Sequence, residues 1–186
     1  MRKDVNGALM AIFVFLFALM FAEFCMNAEG AAGWAGNLPA WRPDPNLWWV
    51  KIISIIPLGG REVNGFDLFV ITFFIMAFLF IPFWNWTHEK TWGFRDWGEL
   101  ICFFAIFAVV EDFLWFIINP AYGLEKFSAQ FIPWHNYWLG PLPIDYYIGI
   151  AASIGFGIWA KGWKWCRIVI ATTLLFTGGA ISIWWI

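Results

Sequence analysis

The sequence ELICFFAIFAVVEDFLWFIIN, residues 99–119, decides the fold class, because it is apolar enough to cross a membrane yet carries two adjacent carboxylates. A helix of about 20 residues spans the roughly 30 Å hydrocarbon core of a bilayer. Glu111 and Asp112 interrupt the apolar run, and a carboxylate inside a membrane usually faces a partner, a cavity or a ligand. The segment therefore predicts a membrane helix with a polar site inside it.

The composition of the whole chain agrees with this interpretation. Of its 186 residues, 62% are hydrophobic and 13% are charged, and the mean hydropathy is +0.70. Soluble domains have about 45–50% apolar and about 25% charged residues. A net charge of −2 without a basic cluster gives nucleic-acid binding no electrostatic basis. We therefore predict an all-α integral membrane protein that forms a single transmembrane domain over residues 1–186.

Five apolar segments predict transmembrane helices. They lie at about residues 5–27, 66–86, 99–119, 145–160 and 165–186. If the segment with Glu111 and Asp112 does not span, the number falls to four. Two longer segments, residues 28–65 and 120–144, are rich in tryptophan and proline and predict a Trp-rich outer cap, with an interfacial helix at residues 46–57.

The distribution of Lys and Arg predicts the orientation of these helices. The predicted inner side holds Arg2, Lys3, Lys90, Arg95, Lys161, Lys164 and Arg167, and the outer side holds Arg42, Lys51, Arg61 and Lys126. Because positive residues favour the cytoplasmic side, we expect a multi-pass protein of the cell membrane with a cytoplasmic N-terminus and an outer C-terminus. Tryptophan, which favours membrane interfaces, supports these boundaries, since Trp115 alone among the 16 falls deep inside a predicted span.

Several acidic residues have the spacing of helix caps. Asp96 is followed three residues later by Glu99, which is the capping-box pattern, and Asn64 with Asp67 gives a second example. Asp145 follows a proline at the start of the fourth predicted span. These positions predict structural roles for the four acidic residues, because capping explains each of them.

Glu111 and Asp112 are the main candidates for a functional site, as acid–base groups or as metal ligands. Trp115 and Asn119 share a helix face with Asp112 and are predicted to orient a ligand. Glu23, in the outer third of the first span, is the predicted third acidic member. The alternative is that the carboxylate pair bonds a basic or backbone group and only fixes helix packing.

Histidine limits the chemistry that this site can perform. Only His88 and His135 are present, and the topology places them at opposite faces, so a haem with two histidine ligands is excluded. No nucleotide-binding motif occurs. His135 belongs to the outer cap and is predicted to close the site as a catalytic group or metal ligand. A metal bound by Glu111, Asp112 and His135 would be a divalent cation that prefers oxygen ligands.

One helix has a face suited to close packing. Gly149, Ser153 and Gly157 recur every four residues, which is the pattern of closely packed membrane helices. This face is therefore a candidate for self-association, and the lipid bilayer and other membrane subunits are the remaining expected partners.

These features support three hypotheses about function. The first is a polytopic membrane protein whose buried, carboxylate-centred site near the outer leaflet binds a cation, a proton or a hydrophobic, lipid-like or isoprenoid-like ligand. In this hypothesis Glu111, Asp112 and His135 are catalytic if the protein is a small membrane enzyme. The alternative is a non-catalytic accessory subunit of a larger membrane complex. A third is a proton or ion conductor formed by an oligomer.

Overall fold

The computed structural model describes residues 2–30, 40–53, 62–88 and 91–184, and these residues are mostly helical, as predicted. In chain order the helices are α1 (Arg2–Glu29), α2 (Trp48–Ile53), α3 (Gly65–Thr87), α4 (Phe94–Ile118), α5 (Ile144–Lys161) and α6 (Trp163–Trp184). Between α4 and α5 lie a 3-10 turn (Leu124–Lys126) and a short hairpin, in which β1 (Trp138–Leu139) pairs antiparallel with β2 (Leu142–Pro143).

Four of these helices are long and apolar enough to cross a membrane. They cover Val5–Glu29, Gly65–Thr87, Phe94–Ile118 and Trp163–Ile183. Each coincides with a predicted span, including the span that carries Glu111 and Asp112. The remaining predicted span is α5, which forms a helix of 18 residues but is not among these four. Of the predicted interfacial helix at residues 46–57, the structure describes α2, and residues 54–57 lie outside the described part.

The cap of α3 confirms one sequence prediction. The side chain of Asn64 accepts hydrogen bonds from the backbone N–H groups of Phe66 and Asp67, at 2.9 and 3.2 Å. In return, the Asp67 carboxylate accepts the N–H of Asn64 at 2.8 Å. This capping box fixes the start of α3 because it satisfies donors that have no partner within the helix.

The prediction for the start of α4 was wrong. The helix begins at Phe94, with Gly93 at the N-cap position, and the Asp96 carboxylate accepts the Gly93 N–H at 2.7 Å. Asp96 is thus the third residue of the helix rather than its cap. Asp96 and Glu99 instead share Lys161 at the end of α5, whose Nζ lies 3.7 and 2.8 Å from their carboxylate oxygens.

The centre of the bundle is α4, which packs against α1, α5 and α6. Its contact with α5 uses the small-residue face of that helix. The fully buried Ser153 hydroxyl lies 3.4 Å from the Cys102 sulfur of α4, and a Cβ added at Gly157 would lie 3.0 Å from the same sulfur. Gly149, Ser153 and Gly157 therefore pack within the chain, and we do not propose self-association through this face.

Phenylalanine rings connect α3 to the rest of the bundle. Phe74 lies 4.6 Å from Phe21 of α1 and 5.1 Å from Phe107 of α4, measured between ring centroids. Phe78 and Phe17 also contact Phe107, at 5.4 and 4.9 Å. We call these five rings the phenylalanine cluster. Outside this cluster the surface of α3 is largely uncovered. In the most apolar stretch of α3, 6% of the residues are buried, against 56% in the corresponding stretch of α4.

The close contact between α4 and α5 predicts opposite effects for two glycines of α5. An alanine Cβ at Gly149 would lie 2.5 Å from Cγ2 of Val109, whereas one at Gly155 meets nothing within 4 Å. We expect Gly149→Ala to lower the free energy of unfolding by about 1–3 kcal/mol. Gly155→Ala should preserve or raise it by up to about 1 kcal/mol. Unfolding midpoints in one detergent test this, and equal midpoints for Gly149→Ala and wild type would contradict the described packing.

Candidate functional site

Asp112 lies at the centre of a hydrogen-bonded group that joins α4, α5 and the segment between them. Its Oδ2 accepts the Tyr146 hydroxyl and lies 3.1 Å from Nε2 of His135. Nδ1 of the same imidazole lies 2.7 Å from Oδ2 of Asp145. We call Asp112, His135, Asp145 and Tyr146 the Asp112 network. His135 and Asp112 have side chains 8% and 22% exposed, whereas Asp145, at 60%, forms the outer rim.

The segment between α4 and α5 is folded so that it holds His135 in place. Ile132 is fully buried, and the Trp138 indole donates to the His135 carbonyl at 3.1 Å. The hairpin that follows is fixed to α5 because the Tyr147 hydroxyl donates to the Leu139 carbonyl at 2.9 Å. These contacts leave the His135 ring between two carboxylates that belong to different helices.

The surroundings of His135 favour its charged form. Burial by itself would lower the pKa of the imidazole, because a buried cation loses its hydration. Hydrogen bonds to Asp112 and Asp145, together with the charges of these carboxylates, outweigh burial and raise the pKa of His135 to about 9. At neutral pH the ring is therefore an imidazolium that donates from both nitrogens.

A cavity of about 650 Å³ ends at the Asp112 network. Residues of α1, α3, α4 and α5 form its walls, which are mainly apolar, and Trp134 and His135 contribute from the segment between α4 and α5. The apolar wall includes Phe21, Phe66, Val70, Phe74, Phe104 and Ala108. Its size falls within the range of small-molecule sites, and such sites combine apolar walls with a few polar groups.

A second acidic group lies beside the network. Glu111 lines the same cavity, and its carboxyl is adjacent to the Cys25 thiol of α1. Glu29 of α1 and Asp67 of α3 also contribute to the lining. The polar end of the cavity is therefore built from α1, α3, α4 and α5 together.

Most of the predicted site residues lie together. Asp112 and His135 are hydrogen-bonded, and Glu111 and Trp115 line the cavity beside them. Trp115 is 5% exposed, and its indole N–H has no hydrogen-bond partner within the described part of the chain.

Two predicted residues lie elsewhere. The Asn119 amide donates to the Gly30 carbonyl at 3.0 Å and accepts the Ala121 N–H at 2.9 Å, so it fixes the end of α4. Glu23 is exposed on α1 and does not line the cavity. The bundle-facing positions near that end of α1 are Cys25 and Glu29 instead.

The members of the site that sequence reasoning missed are Cys25, Glu29, Asp67, Asp145 and Tyr146. Asp145 is not the N-cap of α5, as its position suggested, because Pro143 occupies that position and the Asp145 carboxylate bonds His135. Tyr146 and Cys25 are uncharged and lie in apolar segments, where no sequence pattern marks them. For Asp145, the one available signal was its position within ten residues of His135 in the same outer segment.

The residues predicted to hold a divalent cation are not arranged as a metal site. Within the described ranges, no group of three or more His, Cys, Asp or Glu side chains could hold a metal ion. The two ring nitrogens of His135 face Asp112 and Asp145, so the imidazole has no nitrogen left to bind a metal. We therefore do not propose a metal at Glu111, Asp112 and His135.

Comparison of the chain with protein-family models, curated proteins and solved structures finds no match. The four long apolar helices are typical of a membrane-embedded protein. Between α1, α3, α4 and α5, an apolar cavity ends at hydrogen-bonded acid–base groups.

The raised pKa of His135 predicts a stability that falls as pH rises. A group whose pKa is higher in the folded state stabilises that state when it is protonated. For His135 this stabilisation is complete below pH 6.5, the pKa in the unfolded chain, and is lost as the pH rises through about 9, the pKa in the folded protein. We expect a loss on the order of 3 kcal/mol over this interval. Thermal unfolding of wild type and His135→Gln across these pH values measures it. The difference between the two proteins should shrink toward alkaline pH, and a constant difference would contradict the ion pairs.

Proposed function

We propose that the protein binds an apolar molecule dissolved in the membrane and holds its polar end at Asp112. The observation that carries this proposal is the cavity of about 650 Å³, whose apolar walls end at the Asp112 network. An apolar body would bury its surface against the phenylalanine and aliphatic side chains, which supplies most of the affinity in such sites. The polar end would then face the one place in the cavity where ionisable groups are concentrated.

Asp112 has the geometry of a proton acceptor toward this ligand. Its Oδ2 receives the bonds from Tyr146 and His135, and within the described residues Oδ1 has no protein donor. Two donors on one oxygen stabilise the carboxylate and hold its orientation. If the protein turns its ligand over, Asp112 is the proposed base, and His135 and Tyr146 hold its carboxylate in position.

The proposed setting is a multi-pass protein of the cell membrane, in which α5 is the fifth span. The Asp112 network lies at the ends of α1 and α4 and the starts of α3 and α5. The Lys and Arg distribution assigns this end to the outer face. The site would then lie near the outer leaflet, covered by residues 120–144 with their tryptophans at the interface.

A second candidate function is that of an accessory subunit in a larger membrane complex. The low burial of α3 favours this function. Only 6% of the residues in the most apolar stretch of α3 are buried by the rest of the chain. Another membrane protein could pack against this face. Purification in a mild detergent separates the alternatives, because a stoichiometric partner supports a subunit and a single monodisperse species contradicts it.

Filling the cavity tests the proposed binding function. Ala108 lines the cavity, whereas Ala171 is exposed on α6 and away from it. We expect an apolar molecule to co-purify stoichiometrically with wild type and Ala171→Phe, and to be reduced at least about tenfold in Ala108→Phe, because the phenylalanine occupies its space. Solvent extraction followed by mass spectrometry measures the retained molecule. Equal amounts in all three proteins would show that only surrounding lipid was retained, which contradicts the proposal.

A further inference from the structure

We infer that the ligand of this cavity carries a positive charge at its polar end, as an apolar ammonium compound does. The inference rests on the proposed function and names the chemical class of its ligand. It follows from the charges at the Asp112 network and from the aromatic and apolar walls of the cavity.

The polar end of the cavity is negatively charged. Within the described lining His135 is the one basic side chain, whereas five residues supply carboxyl groups, namely Glu29, Asp67, Glu111, Asp112 and Asp145. Within the Asp112 network alone, the carboxylates of Asp112 and Asp145 and one imidazolium give a net charge of −1. A neutral imidazole would make the charge more negative.

The surroundings of this negative charge strengthen its effect on whether a cationic, anionic or neutral ligand binds. The walls are mainly apolar, and the interaction of two charges grows as the effective dielectric constant falls. The His135 charge is already shared by two carboxylates at 3.1 and 2.7 Å. A cation near Oδ1 of Asp112 would compensate the remaining negative charge, an anion would be repelled, and a neutral group would gain neither effect.

The walls are also suited to a cation. Phe21, Phe66, Phe74 and Phe104 line the cavity, and Tyr146 stands at its polar end. The faces of aromatic rings attract ammonium groups by about 0.5–2 kcal/mol, more where water is excluded. An aromatic lining is therefore compatible with a cationic ligand.

Three probes of similar size and different charge test the inference. Equilibrium binding of tetraphenylphosphonium, tetraphenylborate and neutral triphenylphosphine oxide is measured on the purified full chain in one non-ionic detergent. The binding measured with Ala108→Phe is subtracted from that of wild type, because the filled cavity of this variant leaves only the partition of each probe into the detergent micelle. We expect the phosphonium to bind at least about tenfold more tightly than the other two, which corresponds to about 1.4 kcal/mol.

Two further variants assign the preference to Asp112. Asp112→Asn should reduce phosphonium affinity about tenfold or more, because it removes one charge from the polar end. Glu125→Gln, an exposed position outside the cavity lining, should leave affinity unchanged. If Asp112→Asn does not fold, the comparison of probes on wild type still decides the question.

The results distinguish a wrong ligand charge from a wrong binding function. If the borate or the neutral oxide binds as tightly as the phosphonium, the inferred charge is wrong while the apolar binding site stands. If no probe binds and Ala108→Phe retains the same co-purified molecules as wild type, the proposed function fails as well. An equal loss of phosphonium affinity in Glu125→Gln and Asp112→Asn would also overturn the inference, because the effect would then be one of overall charge.

Discussion

A carboxylate inside an apolar helix is stable only where donors compensate its lost hydration, and Asp112 obtains two on a single oxygen. One is the hydroxyl of Tyr146 in the first turns of α5, and the other is the imidazole of His135. Because His135 also bonds Asp145, the same interaction fixes the segment between α4 and α5 against both helices. The polar end of the cavity thus depends on one histidine held between two carboxylates.

The cavity exists because α3 does not pack as closely as its neighbours. The small residues of α5 bring it against α4, whereas α3 meets the bundle through the rings of the phenylalanine cluster. The positions of the long helices could be predicted from sequence, because about 20 apolar residues leave few other possibilities in a membrane. The start of α4 could not, since Asp96 serves equally well as a cap or as the third residue of the helix.

The ionisable residues of the site that stand out from the apolar sequence could be predicted, and the others could not. Asp112 stands out because it interrupts an apolar run, and His135 because histidine is rare in this chain. Tyr146 gives no such signal, since a tyrosine in an apolar helix is ordinary. The rotation of α1 about its own axis could not be predicted either. This helix is apolar on nearly every side, so its sequence does not distinguish the face of Cys25 from that of Glu23.

The most direct measurement is an experimental density map at high resolution of the protein purified from membranes in a mild detergent. We expect non-protein density in the cavity, with one end within hydrogen-bond distance of Oδ1 of Asp112 and with His135 between Asp112 and Asp145. A cavity filled with the chain's own side chains, or a His135 ring turned away from both carboxylates, would contradict the proposed site.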